Sequence, residues 1–121
     1  FPRAGTKRWV SLVRQALGDG LLDAAMLARY ETVTRPVDKQ WDGWLDGQLT
    51  KIRAVLADIE TQAPQYSVVP DDIGLIAIGC GLGYLDFRFA HLDWRSCHPA
   101  TAAWFAIFDQ HPAMVATRPV E

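Results

Sequence analysis

The chain has 121 residues, 50% hydrophobic and 21% charged, a globular composition of one-domain size that excludes intrinsic disorder. Twelve basic against 14 acidic residues leave a net charge of −2 without a basic stripe, so no nucleic-acid partner is expected. Two cysteines make no disulfide framework, no signal pattern opens the chain, and the longest apolar run, 73–85, is too short for a bilayer; a cytoplasmic protein without a membrane partner is expected.

From Thr6 to Thr34, Trp9, Leu12, Ala16, Gly20, Asp23, Leu27 and Tyr30 recur at helical spacing. A second stripe, Val10, Val13, Leu17, Leu21 and Ala24, lies beside the first, which predicts a long helix with contacts on two sides. Arg35-Pro36 ends it, because the residue before proline is driven out of helical geometry. Asp38 is the expected cap of a second helix, whose broad apolar face runs from Trp41 and Trp44 through Leu45, Leu49, Ile52 and Leu56 to Ile59. "TQAPQYS" (61–67) closes it.

"IGLIAIGCGLGYLDFRF" (73–89) admits two readings: a strand entering a phosphate-binding loop, or a buried helix. The dinucleotide fingerprint needs G-x-G-x-x-G between a strand and a helix, with an acid about 20 residues on. Here the third glycine comes one residue early, that later region lacks an acid, and no segment reads as a strand. Pro70-Asp71-Asp72 suits the first turn of a helix, with acids at the positive end of its dipole. The segment is therefore expected to be a central buried helix, Cys80 included. Its four glycines cost about 1 kcal/mol each relative to alanine, and Gly79 and Gly83, one turn apart, are expected to offset this by close helix packing. After "AHLDWRS" (90–96), His98-Pro99 opens a short helix through Trp104 and Phe108, and "AMVATRP" (113–119) makes a last turn or short helix. The expected fold class is all-α, a helical bundle of four principal helices plus that C-terminal piece, forming a single domain over residues 1–121.

"DGLLDAA" (19–25), Arg35-Pro36, "DDIGLIAIGCGLGYLDFR" (71–88) and "HPATAAWFAIFDQHPAMVATRP" (98–119) together resemble the C-terminal helical domain of bacterial glutathione S-transferases. Their order and spacing span nearly the whole chain. One departure is Val69, where that family usually places a Ser or Thr three residues before the acid matched by Asp72. Asp72 is then expected to act in folding, reaching back to the amide of Val69.

The resemblance implies a parent enzyme, a homodimer, that adds glutathione as co-substrate to small hydrophobic electrophiles and carries no cofactor. The thiol-activating residue would belong to a separate thioredoxin-like N-terminal domain, absent from this chain, so this part alone would hold no catalytic residue. What it would supply is part of the electrophile site and of the dimer interface. Asp23, with Asp19 one turn earlier, matches acids that contact the glutathione amino group across the dimer; a carboxylate suits a cationic ammonium. Met26, Arg29 and Tyr30 would line the electrophile pocket. Surface facing the absent domain is expected to be apolar, with parts of the first helix, Tyr84 and Trp94 contributing. The competing reading is a stand-alone protein-interaction module of the same fold. His91, Cys97, His98 and Cys80 lack metal-ligand spacing, and no metal is expected.

Overall fold

The computed structural model describes residues 2–120, and all regular structure among them is helical. The elements are α1 (Thr6–Arg29), α2 (Asp42–Gln62), α3 (Ile73–Arg88), α4 (Trp94–Cys97), α5 (Pro99–Phe108) and α6 (Pro112–Ala116). The four longest are the expected principal helices. No single helix is long and apolar enough to cross a membrane.

Packing begins with α1 against α3, which run side by side in the same direction: Ser11 meets Gly74, Gly18 meets Ala77 and Ile78, and Leu21 meets Gly81. The approach is backbone to backbone. A Cβ on Gly18 would sit 2.4 Å from the carbonyl carbon of Ala77, and one on Gly74 would sit 2.6 Å from the Ser11 carbonyl oxygen. Close helix packing thus falls on Gly18, Gly74 and Gly81 and, of the expected pair, on Gly79 alone. Gly79 accommodates the Phe108 ring, and a Cβ on Gly83 would find only Phe105, 4.0 Å away.

On its other side α3 meets the core. Leu75, Ile78, Leu82 and Leu85 are buried with Leu21, Ala25 and Ala28 of α1, Ile52, Leu56 and Ile59 of α2, and Phe105 and Phe108 of α5. The start of α5 is held by α2: the Glu60 carboxylate accepts from the amides of Ala100 and Thr101, both at 2.8 Å, and from the Thr101 hydroxyl at 2.6 Å. Pro99 needs no such partner, having no amide hydrogen.

The first helix runs to Thr34, where its periodicity and Arg35-Pro36 end it, but changes form on the way. At Tyr30 the backbone widens into a π-helical turn, Tyr30–Thr34, before Arg35 becomes extended ahead of Pro36. Buried Glu31 fixes this turn by accepting from the Trp41 amide at 2.7 Å and from Arg35 Nε at 2.9 Å. Asp38 is not the cap of α2. It lies in a single 3₁₀ turn, Val37–Lys39, and α2 starts at Asp42 with Trp41 at the cap position. The buried stripe of α2 begins only at Gln48, so Trp41 and Trp44 face outward instead of into the core. Trp94, expected on an exposed patch, is buried: its indole N–H donates to Asp86 at 2.9 Å and its ring packs by Phe105.

Candidate functional site

Asp19, Asp23, Met26 and Tyr30 are spaced four, three and four residues apart, which puts them on one face of α1. That face looks away from the core. Both carboxylates are exposed, Met26 is half-buried, and Tyr30 is 52% exposed. Neither Asp19 nor Asp23 has a hydrogen-bond partner among the described residues. Arg29 lies on the adjoining flank, toward α3, and continues the row Leu22, Met26, Arg29.

Two clefts border this face. One, of about 430 Å³, lies where α3, α5, α6 and the C-terminal segment meet; Leu22, Cys80, Tyr84, Phe87, Met114 and Pro119 are among its walls. The other, of about 450 Å³, is formed by Leu27, Tyr30, Glu31, Thr34, Arg35 and Trp44 at the junction of α1, the π turn and α2. Tyr30 therefore stands between the face and the second cleft.

The first cleft was not legible as such in the sequence. An apolar pattern almost all round α3 reads as complete burial, yet Ile76, Ala77, Tyr84 and Phe87 are only half-buried and Cys80 is exposed. Ala77 lies against Gly18 of α1, whereas Ile76, Cys80, Tyr84 and Phe87 share a side of α3 that is left partly open. Partial burial in the cleft pushes the Cys80 thiol above its ordinary value, so it stays protonated near neutral pH and is a poor nucleophile.

Asp72 belongs to the framework beneath the face. The helix starts one residue after it, so Asp72 is itself the cap of α3 and accepts from the Gly74 amide at 3.0 Å. It does not reach back to Val69. The Ser11 hydroxyl donates to the same carboxylate, and Arg14 Nη1 lies 3.5 Å from it. Burial works against the charge on Asp72, but the bonds from Ser11 and Gly74, with Arg14 alongside, hold its carboxyl below the usual 3.8. Two α1 residues are thereby tied to the start of α3. No group of three or more His, Cys, Asp or Glu among the described residues is placed to hold a metal ion.

The whole chain superposes on a glutathione transferase family member from Pseudomonas fluorescens Pf-5 with bound glutathione, at 45% identity and a TM-score of 0.91, covering 59% of that protein. A second structure from the same strain, with bound S-(propanoic acid)-glutathione, matches at the same identity and TM-score over 62% of its length. A glutathione S-transferase from Methylobacillus flagellatus KT with glutathione bound matches 98% of this chain at 30% identity and a TM-score of 0.89, covering 60% of that protein. This chain is a helical domain of the glutathione transferase C-terminal type. By sequence, 82 residues are 34% identical to the uncharacterized GST-like protein YibF of Escherichia coli K12, covering 66% of this chain and 40% of that protein. No family model matches the chain. The domain spans about 60% of the length of the solved transferases it matches.

Proposed function

We propose that this domain is the C-terminal part of a cytoplasmic, dimeric glutathione transferase, in which it supplies one wall of the electrophile site and part of the dimer interface. The observation that carries the reading is the bare outer face of α1, where two exposed, unpartnered carboxylates precede Met26 and Tyr30, in a chain that matches glutathione-bound transferases end to end. In this reading Asp23, assisted by Asp19, receives the α-ammonium group of glutathione bound to the other protomer. Met26 and Tyr30 present a thioether and a ring to the electrophile, surfaces that adapt to apolar substrates of varied shape.

The remaining parts of the molecule fit the same role. A thioredoxin-like N-terminal domain, with the thiol-activating residue, would seat on the partly open side of α3 and bury Tyr84, Phe87 and Cys80. The cleft at Tyr30 and Trp44, flanked by exposed Val33, Val37 and Trp41, would lie in the dimer interface. The parent enzyme's relatives support glutathione as co-substrate, since two of them were solved with it bound.

The test is glutathione binding by the full-length protein. Asp23→Ala is expected to weaken it about tenfold, the scale of one charge-assisted hydrogen bond. The urea midpoint should stay unchanged, because the carboxylate makes no bond within the domain. Unaltered affinity would remove Asp23 from the site.

A further inference from the structure

Arginines in this chain are mostly spoken for. Arg14 lies against Asp72, Arg35 against Glu31, Arg95 against Asp86 and Arg118 against Asp109. Arg29 differs: it is half-buried, yet no carboxylate or carbonyl of the described residues accepts from it. The nearest acid in sequence, Glu31, is already committed to Arg35 and the Trp41 amide. A cation in the last turn of α1 gains from the helix dipole, but an exposed lysine would gain as much. The guanidinium nitrogens of Arg29 are not among the buried unpartnered atoms of the described residues, so the fork keeps its access to solvent and is matched to an incoming carboxylate.

Position adds to this. Leu22 lines the cleft beside Cys80, Tyr84 and Phe87. Because α1 and α3 are parallel, Met26 and Arg29 carry the same row one and two turns further along α3. We infer that Arg29 is the specificity residue of the electrophile wall and binds a carboxylate on the group attached to the glutathione sulfur, so that the preferred electrophiles are apolar acids rather than neutral compounds. The inference rests on the transferase reading above and names its substrate class. One transferase at 45% identity was solved with an S-linked propanoic acid, a ligand of that chemistry.

The experiment is calorimetric titration of the full-length protein with glutathione, S-(2-carboxyethyl)glutathione and its neutral amide, S-(2-carbamoylethyl)glutathione. Wild type is expected to prefer the acid to the amide about tenfold, as one charge-assisted bond implies. Arg29→Gln should abolish that preference and leave glutathione affinity unchanged, while Arg29→Lys should keep part of it. Equal binding of acid and amide by wild type, or a preference that survives Arg29→Gln, overturns the inference. The wild-type comparison decides the matter even where the variant fails to fold. Glutathione binding without acid preference defeats this inference alone; no glutathione binding at all defeats the transferase reading and this with it.

Discussion

Asp72 gathers three groups of two helices on one carboxylate: the Gly74 amide of α3, and the Ser11 hydroxyl and Arg14 guanidinium of α1. Its effect on stability has a definite sign. The folded-state pKa is depressed, so the contribution is complete above the ordinary carboxylate range and is lost as pH falls through the folded value. Asp72→Asn is expected to lower unfolding free energy at pH 7 by about 1–3 kcal/mol, the range for a hydrogen-bonded cap and partner charge. The gap between wild type and variant should narrow below about pH 4. Urea unfolding at several pH values measures it, and a gap constant from pH 7 to pH 3 would deny the carboxylate this role. In sequence the acid itself is visible, but its partners are not: Ser11 lies 61 residues away, and only the crossing of α1 and α3 joins them.

At the scale of elements, the α1–α3 contact depends on missing side chains. Gly18→Ala would force a methyl group into the backbone of Ala77, and overpacking of that kind costs about 1–3 kcal/mol or more. Gly20→Ala, two residues on, meets open space and should stabilise by about 0.5–1 kcal/mol through helix propensity. Opposite signs for two glycines of one helix would show up as urea midpoints moved in opposite directions; a matching sign would refute the packing described. Periodicity made α1, α2, α3 and α5 readable, because burial of one face repeats every three to four residues. It could not say which glycine faces a backbone, since Gly18 and Gly20 look alike without the partner helix. Nor could it foresee the π turn, which depends on Glu31 reaching the Trp41 amide across ten residues. Asp19, Asp23, Met26, Arg29 and Tyr30 were singled out through the resemblance; that four of them share one face of α1, with Arg29 on its flank, follows from their local spacing. The adjoining cleft was not legible, since it is assembled from α1, α3, α5, α6 and the segment after α6.

Across the whole molecule, the described residues leave apolar surface uncovered in several places, Trp9, Val10 and Val13 of α1 among them, and two such places adjoin the candidate face. The partly open side of α3 presents Ile76, Cys80, Tyr84 and Phe87, and the junction of α1 and α2 presents Tyr30, Val33, Val37, Trp41 and Trp44. Patches of this kind on a small domain mark contact surfaces, and the domain spans only about 60% of the transferases it matches. In the proposed function the first patch meets a second domain and the other a second protomer, so that glutathione binding requires both. The most direct measurement compares calorimetric titration of glutathione into the full-length protein with the same titration into residues 1–121. Binding by the full-length protein and none by the isolated domain is the predicted result. Absence of glutathione binding by the full-length protein would rule out the transferase role, and equal binding by the isolated domain would rule out the need for a second domain.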